Sequence, residues 1–187
     1  MVFHKEIDNT VSFLNKGKTI LYPTDTVWGI GCDATDENAV KKIYTIKQRD
    51  QNKSLIILVD SFNMLQKYIT KIPEEIKTFL AEQSKPTTVI YDNPTGLPKN
   101  IIADDNTIAI RIVKDIFCNT LIKTFGKPIV STSANISTHK TPIKYSDINP
   151  NLISKVDFAV PLNIKINSKK PSKIIRFTNN QIIILRD

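Results

Sequence analysis

The apolar positions of this chain switch repeatedly between a helical and a strand-like rhythm, and those switches mark out its elements. Over residues 5–16, Ile7, Val11 and Leu14 share one helical stripe, and Gly17 can end that helix by taking a left-handed conformation. Thr19-Ile20-Leu21-Tyr22 is a short β-prone run, closed by Pro23, which has no amide with which to extend a ladder. Residues 24–31 then read as an ordered loop. Asp36 is a good N-cap for a second helix whose apolar positions hold one face as far as Lys47, bringing Lys47 and Arg49 to its C-terminal end. Residues 54–59 form an uninterrupted apolar run, as expected of a strand covered on both faces.

Helices are predicted at 61–69, 74–83 and 115–125, the last stopped by Gly126. Strands are predicted at 87–91 and 107–112. Another begins at Pro128 and runs into Ser131-Thr132-Ser133-Ala134-Asn135, where polarity changes abruptly. Residues 137–150 are polar and turn-rich, and 157–160, 173–177 and 181–185 read as late strands. Helices and strands mix without strict alternation, which predicts an α/β fold with a mixed sheet, in one domain over 1–187.

Composition narrows the function. With 41% hydrophobic and 24% charged residues the chain can bury a core, so disorder is excluded. A formal charge of +8 attracts anions such as nucleotide, pyrophosphate or RNA over roughly 8 Å at physiological salt. The same excess of lysine, beside much Asn and Ile, is also what base composition alone can produce. Cys32 and Cys118 lie far apart, with no CxxC and no histidine at metal-ligand spacing, so neither a disulfide framework nor a zinc site is expected. The first residues mix His4, Lys5, Glu6 and Asp8 with apolar ones, unlike a signal peptide, and no segment has membrane-spanning length. The expected location is the cytoplasm.

Four clusters could carry chemistry. In Pro23-Thr24-Asp25-Thr26-Val27-Trp28-Gly29-Ile30-Gly31, hydroxyls, a carboxylate and two glycines follow a buried strand, where α/β proteins bind ligands; such a segment can equally be only a turn. Lys47, Arg49 and Lys53 could clamp a triphosphate, or merely complement the negative end of a helix. Ser131 to Asn135 is costly to bury unless it binds something or caps a helix, and helix N-termini also receive phosphate. Arg111, in an apolar strand, and Arg186, near the C-terminus, could point to solvent or meet a substrate carboxylate.

Taken together, Tyr22-Pro23-Thr24-Asp25-Thr26-Val27-Trp28-Gly29, Lys47-x-Arg49, Ile108-Ala109-Ile110-Arg111, Ser133-Ala134-Asn135 and Leu185-Arg186 resemble, in order and spacing, the short form of the YrdC/TsaC family of threonylcarbamoyl-AMP synthases. The resemblance covers nearly the whole chain. It implies an open, twisted mixed α/β sheet flanked by helices, with a concave basic cavity. It also implies a nucleotidyltransferase that joins L-threonine, bicarbonate and ATP into threonylcarbamoyl-AMP and pyrophosphate, for threonylcarbamoyladenosine modification of tRNA next to the anticodon. By position, Lys47 and Arg49 would be catalytic and would bind ATP together with Lys53, Thr107, Ser133, Asn135 and Arg186. Thr26, Arg111, Ser131 and Ser172 would bind threonine. Mg²⁺ is expected to arrive with the nucleotide, without a metal site on the protein. The implied partner is a TsaD-type protein that takes over the product; contact with tRNA or double-stranded RNA is left open, and no membrane is involved. The alternative is a YciO-like paralogue that binds nucleotide or RNA without efficient synthesis. The chain departs from the family pattern at Lys85-Pro86-Thr87, at Lys173, and in Asn135-Ile136-Ser137-Thr138, which lacks the glycine common after the Ser-Ala-Asn element.

Overall fold

The computed structural model describes residues 2–50, 53–161 and 171–187. In chain order the helices are α1 (Val2–Asn15), α2 (Glu37–Lys47), α3 (Phe62–Gln66), α4 (Glu74–Glu82), α5 (Ile116–Phe125) and α6 (Pro150–Ile153). The strands are β1 (Ile20–Tyr22), β2 (Gly29–Gly31), β3 (Ile56–Val59), β4 (Thr87–Asp92), β5 (Thr107–Ile112), β6 (Ile129–Ser133), β7 (Phe158–Ala159), β8 (Lys173–Thr178) and β9 (Gln181–Arg186). They form one sheet in the order β7-β1-β2-β6-β3-β5-β4-β8-β9. Pairs β1/β7, β3/β5 and β4/β8 are parallel and the other neighbours antiparallel, so the sheet is mixed and open at β7 and β9.

Local signals account for most boundaries. Asp36 caps α2 by accepting from the amides of Asn38 and Ala39, and Asp115 caps α5 through the amide of Cys118. Gly126 ends α5 at φ 78°, a conformation easy only for glycine. Strand β3 lies between β5 and β6, and Ile57, Leu58 and Val59 are completely buried, as an unbroken apolar run requires. The core continues on α1, whose Ile7 and Leu14 are buried and whose Phe3 ring meets Phe117 of α5 edge-on at 6.0 Å.

The structure departs from the sequence expectation in four places. Helix α1 begins at Val2, earlier than residue 5, while α3 is one short turn and not a helix over 61–69. The second half of the expected loop 24–31 is a strand, β2, paired with both β1 and β6. Its glycines permit close packing: a Cβ on Gly31 would stand 2.3 Å from the Val130 carbonyl oxygen and 2.8 Å from the Tyr22 ring. Lastly, no helix follows Ser133-Ala134-Asn135; β6 leads into a turn, so helix-N-terminal phosphate binding is not available to this cluster.

Candidate active site

The loop between β1 and β2 is held by Thr24. Its hydroxyl donates to the Val27 carbonyl at 2.7 Å and accepts from the amides of Thr26 and Val27. Because that single proton is already used, the 3.0 Å contact between the Thr24 and Thr26 hydroxyls must have Thr26 as donor. Thr26 is therefore fixed with its lone pairs available as acceptors. Across β2, the neighbouring β6 brings Ser131 and Ser133 to the same side, with Gly29 opposite Ser133.

The turn out of α2 delivers Arg49. Gln48 takes the left-handed region at φ 49°, and Arg49 then donates through Nε and Nη2 to the carbonyls of Lys53 and Ser54. Arg111 comes from β5 and is 3% exposed, so of its two readings the solvent-facing one does not hold. It forms a 3.0 Å ion pair with Asp25. Arg186, on the edge strand β9, donates through Nε and Nη2 to the Ser172 carbonyl at 3.0 and 2.8 Å, and the buried Ser172 hydroxyl meets Thr88 at 2.8 Å.

Thr26, Arg49, Arg111, Ser131, Ser133, Ser172 and Arg186 line one cavity of about 310 Å³, together with Gly29 and the apolar side chains of Leu55, Ile56 and Ile90. Three guanidiniums face it and none of its described lining residues is acidic. Burial lowers the pKa of both Arg49 and Arg186, the latter further through the charge of Arg111. Such an enclosure holds polyanions well, because charge-assisted hydrogen bonds strengthen where water is scarce.

Four further candidates lie outside this lining. Lys47 is directly behind the wall, 1% exposed, with its ammonium donating to the carbonyls of Ser133 and Asn135, the latter at 2.7 Å. Burial, and secondarily the charge of Arg49, lowers its pKa to about 7. Asn135 spends its amide donors on the Ile136 and His139 carbonyls, and Ser137 donates its amide to the Lys47 carbonyl. Lys47 and the Ser-Ala-Asn turn thus form one locked unit whose cavity-facing member is Ser133. Lys53 is exposed, and Thr107, two residues before Ala109 on β5, donates to Asp105 at 2.6 Å.

Sequence reasoning missed Thr141 and Ser54, which also line the cavity. Thr141 sits in the aperiodic stretch 137–150, where no pattern singles out one hydroxyl; the edge-on packing of Tyr145 against Trp28 at 5.0 Å joins that stretch to the β1–β2 loop. A larger cavity of about 770 Å³ has walls that include Phe62, Leu80, Pro86 and Ile112, and Asp25 lines it as well. Two of its lysines are already engaged, Lys114 with the Leu80 and Gln83 carbonyls and Lys173 with Asp187. The arginine-rich cavity is the better candidate for chemistry on anions.

An α/β sheet gathering three arginines and several fixed hydroxyls from sequence-distant strands makes a cavity suited to a polar, anionic ligand. Comparison with known proteins makes this specific. The profile of the Sua5/YciO/YrdC family, described as "Telomere recombination", matches residues 12–187, and the chain belongs to that family. It is 32% identical to the threonylcarbamoyl-AMP synthase of Pseudoalteromonas translucida, over 92% of this chain and 93% of that protein. P. abyssi Sua5, in a crystal structure complexed with L-threonine, superposes with a TM-score of 0.88 at 29% identity; the match covers 96% of this chain and 53% of that one. The chain thus spans about half the length of that Sua5. E. coli YciO shares the fold, with a TM-score of 0.80 at 22% identity over 97% of this chain and 88% of that one.

Proposed function

We propose that the chain is an L-threonylcarbamoyladenylate synthase. The nitrogen of L-threonine takes up bicarbonate with loss of water, and an oxygen of the resulting carbamate attacks the α-phosphorus of ATP. Threonylcarbamoyl-AMP forms and pyrophosphate leaves. One observation carries the reading: arginines Arg49, Arg111 and Arg186 and hydroxyls Thr26, Ser131, Ser133 and Ser172 share a single cavity in a chain whose full-length relatives carry that name.

The carbamate is a weak and labile nucleophile, so the reaction depends mainly on holding it in line with the phosphate before it loses carbon dioxide. Arg49 and Arg186 offset the charge that collects on the departing pyrophosphate, while Ser133 donates to a phosphoryl oxygen. Arg111 receives the threonine carboxylate, and Thr26, left with acceptor lone pairs, receives a donor of the amino acid. Ser131 and Ser172 complete that half of the cavity. Lys47 and Asn135 act by fixing Ser133. Lys53 and Thr107 stay in reserve as phosphate or adenosine contacts once nucleotide is bound. Mg²⁺ enters as MgATP, held mainly by the phosphates and water. No described helix is long and apolar enough to cross a membrane. We place the reaction in the cytoplasm, with a TsaD-type protein transferring the product to tRNA.

The test is mass-spectrometric detection of threonylcarbamoyl-AMP from purified protein, ATP, threonine and bicarbonate, alongside pyrophosphate release. Release that requires both threonine and bicarbonate supports the synthase. Nucleotide binding with no threonine-dependent turnover would replace it with the YciO-like reading.

A further inference from the structure

The ion pair between Arg111 and Asp25 has an unusual form. Side-chain exposures of 4% and 12% mark Arg111 as buried and Asp25 as mostly covered, where a guanidinium and a carboxylate frequently meet through two parallel hydrogen bonds. Here the contact is a single approach of Asp25 Oδ1 to Arg111 Nη2 at 3.0 Å, and it lacks hydrogen-bond alignment. Arg111 Nε is fully buried with no acceptor among the described residues. A donor in that condition is expensive to keep, and an optimised structural pair would not leave it so. The two partners also face different spaces. Arg111 is part of the wall of the 310 Å³ cavity, whereas Asp25 lines the 770 Å³ cavity beyond it. Asp25 therefore holds the guanidinium from behind by one corner, and the part of Arg111 that lines the smaller cavity is left without a counter-charge there.

We propose that Asp25 is a positioning residue that keeps Arg111 turned so that its cavity-facing side receives the carboxylate of the amino acid substrate. The inference rests on the reading of the cavity as a site for threonine and ATP. Its physical content is charge placement. Arg186 and Arg49 are further guanidiniums on the same wall, and no described lining residue offers Arg111 a counter-charge. Held by Asp25, Arg111 is reserved for a carboxylate. Released, it can swing toward the triphosphate, which is the stronger anion, and the amino acid loses its anchor. Burial raises the pKa of Asp25, with Arg111 opposing that rise, so the carboxylate depends on the arginine as much as the arginine depends on it. The position is also fixed by the backbone, because the amides on either side of the Thr26 peptide bond are held by the Thr24 hydroxyl.

The experiment compares wild type with D25N, which preserves shape and removes the charge. Expected are a threonine KM raised roughly tenfold and an ATP KM within about twofold of wild type, the pattern of one lost orienting contact on one substrate. An unchanged threonine KM in folded D25N would reduce Asp25 to a structural partner and overturn the proposal. So would a lowered one, which would make Asp25 a placeholder that substrate must displace. If D25N loses its cooperative melting transition, D25E, which keeps the charge on a longer arm, is read in the same way: a selective rise in threonine KM supports the proposal and an equal loss toward both substrates refutes it. Direct titration of L-threonine by calorimetry, without ATP, separates this inference from the synthase reading. Wild type that binds threonine and D25N that binds it roughly tenfold more weakly support the positioning role even if no threonylcarbamoyl-AMP is made. Equal binding by both sinks it even if the enzyme turns over.

Discussion

Replacing Lys47 with methionine tests how the Ser-Ala-Asn turn is held. The side chain is 1% exposed and its nitrogen donates to the carbonyls of Ser133 and Asn135. Methionine fills similar space without a donor, leaving two carbonyls short of a partner, at about 1–1.5 kcal/mol each. That predicts a loss of about 2–3 kcal/mol in conditions where Lys47 is a neutral amine. Where it is an ammonium, burial of the charge opposes the gain, and the pKa near 7 gives the size of that opposition. The unfolded chain binds the Lys47 proton up to about pH 10.4. Between pH 7 and 9 the unfolded state thus holds more protons than the folded one, and this group stabilises the fold by about 1.4 kcal/mol for each pH unit gained. Lys47→Met abolishes that slope.

The cost of the variant should therefore be about 2–3 kcal/mol larger at pH 9 than at pH 6, the slope summed over the two pH units above 7. Taking the difference from wild type cancels the tyrosines and cysteines whose pKa values burial also shifts. Chemical denaturation of both proteins at the two pH values measures it directly. A penalty equal at pH 6 and pH 9 would refute the desolvated-lysine reasoning, and no penalty at either would refute the lock itself.

Other expectations follow from single contacts. Arg49→Ala should weaken ATP use by about 1.5–3 kcal/mol, the scale of a charge-assisted hydrogen bond, read as kcat/KM for ATP. Arg111→Lys keeps a cation beside Asp25 but loses the planar fork, so the threonine KM should rise about tenfold while ATP affinity, measured by calorimetry, stays within about twofold. Thr138 holds φ 75° with a β-branched side chain, and Thr138→Gly should raise stability by about 0.5–1 kcal/mol, an increase of roughly 1–4 °C in Tm, after allowing for the extra freedom glycine has when unfolded. Gly31→Ala forces a methyl to 2.3 Å from the Val130 carbonyl oxygen and should lower stability by about 2–3 kcal/mol or more, visible as reduced Tm.

Periodicity exposed α2, α5, β3 and β5 because their burial is decided locally, by a cap, a stop or an unbroken apolar run. It missed β2 because Gly29-Ile30-Gly31 offers a single side chain to a pattern test; the reason for Gly31 is Val130, about a hundred residues away. The site divides in the same manner. The hydroxyl-rich β1–β2 loop and the Ser-Ala-Asn turn declared themselves by polarity beside apolar strands, and both reach the cavity or its back wall. Whether a cation faces ligand, solvent or backbone is a pairwise matter that no window of sequence contains. Lys47 and Arg49 look alike in the chain, yet one lies behind the wall on two carbonyls and the other lines it.

Arg111 shows why that distinction governs function. As a lone cation in the apolar strand Ile108-Ala109-Ile110-Arg111-Ile112, it reads most simply as a surface residue. Its burial at 3% exposure is tolerable only because Asp25, from a loop more than eighty residues earlier, supplies a counter-charge. Asp25 in turn is placed by a Thr24 hydroxyl that has no charge at all. The placement of the Arg111 guanidinium, proposed to meet an amino acid, thus depends on a threonine, an aspartate and a strand register acting in sequence. Substitutions in the Thr24-Asp25-Thr26 loop should consequently show first in threonine affinity, and only later in the stability of the sheet beneath it.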